Sequence, residues 1–404
     1  MSTKQWNEKQ YQVAKTAEAE LWRKLRSACE SGKLKRADYL TQLYFKSHHV
    51  KYFHAVEAFR NLKPHKKSKD IDLSYLADTV NVHKASTEPV VFDIKSKNSG
   101  HDYRHVKDYG IENRTKQGIV LAVLKARTHL HPNQFANVGG KNDAAKLVVQ
   151  YLSAGFGWCV ELDINDCFPS VCVEALSGYL PIPGTVIKHV LTCEESCAIP
   201  GSTLMNLVDP EGDLSLMTEE PDLLAETLKE GRQGIPQGST VSSYVFELLL
   251  APVFEDVPEG VRLVGYSDNI LVMGRTEDDA VSMLFSLGAA LKKHPAGPFT
   301  SKCGKITSPS QKFEFLGYEF QACPNGTTLV PSGQNRAEFQ HKFDKGIGRI
   351  AKAGMTKERR KKEKENLRRY VRGWCAAFGL WDKAEPFKEN RMRDIGDACV
   401  EAAG

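Results

Sequence analysis

The chain has 404 residues, 41% hydrophobic and 26% charged, with a formal net charge of +5. That length exceeds one ordinary domain, and that balance excludes the disordered and fibrous classes, leaving a globular protein of two or three lobes. No run approaches about eighteen consecutive apolar residues and the N-terminus is polar, so neither a membrane span nor a secretory leader is expected, and the expected compartment is the cytoplasm.

Residues 5 to 62 carry apolar side chains at three-to-four spacing, in LWRKL, YLTQLYF and YFHAVEAFRNL, with few breakers before Pro64. This predicts a helical N-terminal region. From Pro89 two β-favouring runs flank Asn98-Ser99-Gly100, the signal of a hairpin. Helices are predicted over 112–128 and 142–154, the second with Ala144, Leu147, Val148 and Leu152 on one face. WCVELDINDCF (158–168) is a strand running into a turn, and VRLVGYSDNILVMG (261–274) is a hairpin with Ser-Asp-Asn at its tip. Between them GIPQGSTVSSYVFELLLAPVF is a glycine-bearing loop that opens a long apolar helix. EDDAVSMLFSLGAALKK follows as an amphipathic helix, then FEFLGYEFQACPNGTTLV as a hairpin turning at Asn325-Gly326. From residue 334 onward the chain is helical and basic.

Charge is unevenly spread. Lys and Arg far outnumber Asp and Glu over 341–373, whereas 207–230 is acidic. A basic run of that kind suits a polyanionic partner or a solvated helix face equally. Ten scattered cysteines, several inside apolar runs, are expected to be reduced. Cys193 and Cys197 lack a second pair at zinc-finger spacing, so no metal is assigned to them.

Asp163 and Asp268 each end a predicted apolar strand, and two such strands can lie side by side in one sheet although they are far apart in sequence. Paired carboxylates suit phosphoryl transfer, which uses two divalent ions to activate the attacking hydroxyl and neutralise the leaving pyrophosphate.

DINDCFPSV, GIPQGSTVSS, YSDN and FLGY resemble, in that order, palm motifs A, B and C and the primer grip of reverse transcriptases. The resemblance covers about residues 86–320 and extends more weakly through the basic tail. It implies an α+β right-hand polymerase fold: an N-terminal helical region (1–85), a fingers and palm domain with an antiparallel sheet plus helices (86–320), and a primer-grip continuation with a basic helical thumb (321–404). Asp163 matches the motif A carboxylate and Asp268 the first carboxylate of motif C, both as magnesium ligands, with Ile164 offering its backbone carbonyl. Two Mg2+ ions are implied, with Mn2+ as an alternative. Phe168 falls where reverse transcriptases keep an aromatic ring against the sugar 2′ position, and Gln237 where motif B contacts the incoming nucleotide. Lys97 and Arg104 resemble the fingers residues that grip the triphosphate. Lys302 or Lys305 stands for the motif D lysine, with Lys305 favoured. Leu316, Gly317 and Tyr318 match the primer grip, and Arg359, Arg360, Lys361 and Lys362 are placed on the nucleic-acid backbone.

Two departures stand out: motif C is YSDN, with Asn269 where a second Asp is usual, and the segment between motifs A and B is long. Without a VTG signature near the C-terminus or the SQ form of motif B, the resemblance leaves group II-like enzymes and the bacterial reverse transcriptases of antiphage defence, and the chain is more similar to the latter. The implied partners are an RNA template such as a structured noncoding RNA, dNTPs and a DNA product. No membrane partner is implied, and a homo-oligomer or partner proteins are left open. Asn269 keeps two alternatives open, a catalytically decayed RNA-binding module and an RNA-dependent RNA polymerase.

Overall fold

The computed structural model describes residues 6–68, 70–96, 103–192, 197–208, 229, 231–323, 326–352 and 354–401. In chain order its main elements begin with α1 (Glu8–Glu30), α2 (Leu34–Lys46), α3 (His48–Asn61), α4 (Leu73–Thr79), β1 (Val90–Ser96), β2 (Tyr103–Asp108) and α5 (Ile111–Arg127). Next come α6 (Gly140–Ser153), β3 (Trp158–Ile164), β4 (Ala198–Pro200), α7 (Ser242–Leu250), β5 (Val261–Tyr266), β6 (Asn269–Gly274) and α8 (Glu277–Lys292). The chain ends with β7 (Ser301–Cys303), β8 (Phe313–Phe315), β9 (Tyr318–Cys323), β10 (Gly326–Pro331), α9 (Gly333–Ile350), α10 (Lys357–Ala377) and α11 (Ala384–Glu401).

The architecture is α+β and divides into two compact units. The first comprises Met1–His131, Ile164–Pro252 and Ala289–Thr300. Its helical part starts where Asn7 caps α1 by accepting from the backbone amides of Lys9 and Gln10. α1 ends at Gly32, whose φ of +66° lets the Lys33 amide reach back to the Ala28 carbonyl. Tyr11, Ala14, Tyr52, Val56, Phe59 and Leu73 form the core that fastens α1, α3 and α4 together. β1 pairs antiparallel with β2 and parallel with the distant β4, giving the order β2-β1-β4. The Asn98-Ser99-Gly100 turn lies outside the described residues.

The second unit comprises Pro132–Asp163, Val253–Gly288 and Ser301–Gly404. A four-stranded sheet of order β5-β6-β3-β7 and a three-stranded sheet of order β10-β9-β8 supply its β structure. Ala144 and Val148 of α6 pack with Phe156, Val264, Leu271, Met273, Tyr318, Phe320 and Phe378 in one core. Phe339 and Phe343 of α9, Leu367 and Val371 of α10 and Ile395 of α11 build a second core. No helix among the described residues is long and apolar enough to cross a membrane.

Candidate active site

β3 lies between β6 and β7, and its antiparallel register with β6 sets Asp163 opposite Asn269, Glu161 opposite Leu271 and Cys159 opposite Met273. Alternate residues share a face, so Cys159, Glu161 and Asp163 project the same way, with their opposite numbers beside them. Toward Cys159, Leu271 and Met273 that face is buried in the core, whereas Asp163 at the strand end is exposed. One strand thus carries an apolar anchor at one end and a solvated carboxylate at the other.

β5 and β6 are joined by two residues only, because Tyr266 already pairs with Asn269. Asn269 therefore belongs to the strand, and the turn is Ser267-Asp268 rather than the Ser-Asp-Asn triplet. Ser267 takes φ +57° while Asp268 stays in the ordinary negative region, the sign pattern of a type II′ turn. Glycine is the usual residue at that first position, so a serine there is strained backbone beside a carboxylate. The turn sets Asp268 one residue before the partner of Asp163. The Asn269 side-chain amide donates to Asp268 Oδ1 at 3.1 Å.

Glu161 was not singled out from the sequence. Its carboxyl is pushed up to about 7, first by burial and then by the negative charges of Asp163, Glu314 and Asp268. The cause is its place halfway between the dry and wet ends of the face. The WCVELDI alternation contained the signal, since Glu161 and Asp163 are two apart in a strand.

Among the described residues no group of three or more His, Cys, Asp or Glu side chains is placed to hold a metal ion. Asp163 and Asp268 offer two carboxylates, and Asn269 a neutral amide beside them. Such a hard oxygen set fits magnesium, which takes one or two protein carboxylates and leaves its other positions to phosphates and water. Ile164 has a buried side chain, and only its backbone is suited to such a role.

In the first unit, Lys97 lies outside the described residues, whereas Arg104 is exposed on β2. Directly across the ladder from Arg104 stands Lys95, also exposed. Like charges facing each other across a strand pair are unfavourable unless an anion bridges them, which makes Lys95 the partner that hairpin register reveals.

Phe168 is half-buried and meets the fully buried Phe246 of α7 edge-on, with ring centroids 5.7 Å apart. Phe246 meets Phe299 the same way at 5.6 Å. The backbone of Phe168 is tied to the motif B segment, since its carbonyl accepts from the Ile235 amide at 3.0 Å. Gly234 at φ +59° passes so close that a Cβ there would collide with the Phe168 carbonyl oxygen. Three residues on, the Gln237 carbonyl accepts from the Lys107 amide at 2.8 Å, and Gly238 at φ +100° leaves no room for a Cβ against the Lys107 carbonyl. The glycines of GIPQG are therefore demanded by both conformation and approach. Gln237 itself is half-buried and Pro236 buried.

In the second unit, Leu316 and Gly317 form the two-residue turn between β8 and β9, at φ +51° and +78°, as a type I′ hairpin requires. Tyr318 differs from its two neighbours in being fully buried. It donates to Asn142 Oδ1 at 2.8 Å and packs edge-on against Phe378. Lys302 lies in β7 and Lys305 just beyond it, both exposed, and the Gly304 amide between them donates to the Glu161 carbonyl at 2.8 Å. Arg359, Lys361 and Lys362 are exposed on the first turns of α10 and Arg360 is half-buried.

A family model described as reverse transcriptase (RNA-dependent DNA polymerase) matches residues 94–320, more than half of the chain. The chain belongs to the reverse transcriptase family. Its α+β architecture is that of the right-hand polymerase fold. No curated protein matches the sequence. Among solved structures, apo telomerase from Candida Tropicalis, truncated from the C-terminal domain, is similar at 12% identity and a TM-score of 0.36, over 62% of this chain. The chain spans 56% of that structure.

Proposed function

We propose that the chain is an RNA-directed DNA polymerase that adds dNTPs by two-metal nucleotidyl transfer, with Asp163 and Asp268 as the metal-holding carboxylates. The observation that carries this reading is the β3–β6 register, in which Asp163 faces Asn269 and Asp268 is the adjoining turn residue. Magnesium bound there would offset the negative charge of the triphosphate and make the attacking hydroxyl easier to deprotonate. The remaining roles belong to side chains of this protein. Phe168 presses on the sugar and excludes a 2′-hydroxyl, Lys97 and Arg104, joined by Lys95, hold triphosphate oxygens, and Gln237 contacts the incoming nucleotide. Lys305 donates a proton to pyrophosphate, and the Leu316-Gly317 turn steadies the primer end. Arg359, Arg360, Lys361 and Lys362 lie on the duplex backbone. The helical region to residue 85, fingers and palm to 320 and thumb beyond it are the working parts in this proposal.

The finer biological role proposed is defence against phage, in the cytoplasm, with a structured noncoding RNA as template or cofactor; it rests on motif resemblance alone. A second reading, a silent RNA-binding relative, is favoured by Asn269. Extension assays with wild-type protein, offering RNA and DNA templates with labelled dNTPs or rNTPs in magnesium or manganese, separate the readings. DNA synthesis on RNA supports the proposal. No incorporation with either metal supports the silent relative, and rNTP use alone supports an RNA polymerase.

A further inference from the structure

The helical hairpin at the N-terminal end carries a concave surface of about 550 Å³ lined by Glu20, Arg23, Lys24, Ser27, Lys33 and Arg36, together with Ala28 and Ser31. Four of these side chains are cationic and one is anionic. The anion is spent locally, because Glu20 accepts from Lys24 at 2.7 Å one turn along α1. Among the described residues no carboxylate pairs with Arg23, Lys33 or Arg36. Arg23 uses only its Nε, on the Ala19 carbonyl of its own helix at 3.2 Å, which leaves the rest of the guanidinium facing outward. Three cations without an ion-pair partner thus converge from α1, the Lys33 cap and α2 on one hollow, with the charge of Glu20 acting also on Arg23, an arrangement that still leaves an excess of like charge.

The groove is polar as well as charged, with exposed Ser27 and Ser31 on its α1 side. The start of α2 adds to the same field: Lys33 at its N-cap makes no side-chain capping bond, and its first turn holds no acidic residue. The positive end of that helix is therefore met by more positive charge, which is unfavourable unless an anion sits nearby. A hollow lined by several cations and one carboxylate suits a polyanion.

We propose that this α1–α2 groove is a binding site for the phosphodiester backbone of a single nucleic-acid strand, with Arg23, Lys33 and Arg36 neutralising successive phosphates. Sequence selectivity is not expected, since guanidinium and ammonium groups on phosphates position a strand without reading its bases. The site is independent of the chemistry assigned to Asp163 and Asp268, so it stands or falls separately from the polymerase reading.

The test uses the full chain and fluorescently labelled mixed-sequence single strands, one RNA and one DNA, titrated at several salt concentrations. The triple variant Arg23→Gln/Lys33→Gln/Arg36→Gln should bind both strands on the order of tenfold more weakly at physiological salt. It should also reduce the slope of log affinity against log salt by about 2, as expected when roughly three phosphate contacts disappear from a single strand. A second variant, Glu20→Gln, removes the only carboxylate of the groove and should bind more tightly, with circular dichroism confirming that both variants fold. Loss for RNA alone would narrow the ligand to RNA and still support the site. Unchanged affinity and salt slope in the triple variant, or no gain with Glu20→Gln, would overturn it.

Discussion

Asn269 donates its side-chain amide to Asp268 Oδ1 at 3.1 Å while standing directly across the ladder from Asp163. The residue that departs from the usual motif is thus bonded to one proposed metal-binding carboxylate and faces the other. A hydrogen bond to a charged group is worth about 1.5–3 kcal/mol, so Asn269→Ala should lower the extension rate by roughly 10- to 100-fold through a misoriented Asp268. Asn269→Asp keeps the side-chain length and adds charge, and should remain active with a shifted balance between magnesium and manganese. Steady-state extension rates in both metals check this. An Asn269→Ala enzyme as fast as wild type would show that the bond orients nothing.

Phe168→Ala should raise ribonucleotide use relative to deoxynucleotide use by about tenfold or more, since an interaction difference of about 1.4 kcal/mol is already a factor of ten. Phe246 meets the ring edge-on and is itself backed by Phe299, so the ring has a protein partner without any bound substrate. The ratio of kcat/KM for dNTP and rNTP is the readout, and an unchanged ratio would remove Phe168 from sugar selection.

Glycine replacements should divide sharply. Gly238→Ala places a methyl group against the Lys107 carbonyl at a φ of +100°, so it should destabilise the protein by roughly 1–3 kcal/mol. Gly373 lies on the exposed side of α10, where a Cβ meets nothing within 4 Å. Gly373→Ala should stabilise by up to about 1 kcal/mol through helix propensity. Thermal unfolding of the two variants gives the comparison, and shifts of the same sign would contradict it.

Much of this site is legible in the sequence because its signals are local. The apolar runs WCVELDI, VRLVGY and NILVMG specify three strands, with Asp163 next to the end of the first and Asp268 in the turn that joins the other two. What was not legible depends on pairing between distant segments. β1 is completed by Ala198–Pro200, which no pattern near residue 90 announces. Lys95 emerges as the partner of Arg104 only through hairpin register, which the turn signal at 98–100 does not determine. Tyr318 falls within a recognisable motif, yet its burial against Asn142 and Phe378 arises from packing with α6 and the end of α10. The glycines of GIPQG are readable as a loop that opens a helix, but the neighbours that require them, the carbonyls of Phe168 and Lys107, come from other segments.

Acid sensitivity should trace in part to His54. Burial holds its imidazole down at about 4, against an unfolded value near 6.5, with the negative charge of Glu57 opposing that shift. Its Nε2 lies 3.2 Å from the Tyr44 hydroxyl, which donates to Glu18. A base depressed in the native state stays neutral there while the unfolded chain takes up a proton. His54 therefore costs stability as pH falls from about 6.5 toward 4 and costs none at pH 8. The Glu18 carboxyl, raised by burial, works in the opposite direction and is common to both proteins compared. Urea midpoints at pH 7 and pH 5 should move closer together in His54→Phe than in wild type. An equal pH 5 loss in both would clear His54.

The most direct measurement is single-turnover dNTP incorporation on an RNA template by wild type, Asp163→Asn and Asp268→Asn, with template-primer affinity measured in parallel. Each substitution keeps size and removes one negative charge from the strand-end site. Affinity should stay within about threefold of wild type while incorporation falls by about three orders of magnitude or more in both variants, equivalent to about 4 kcal/mol of lost transition-state stabilisation. Incorporation near the wild-type rate by either variant would contradict the assignment of these two carboxylates.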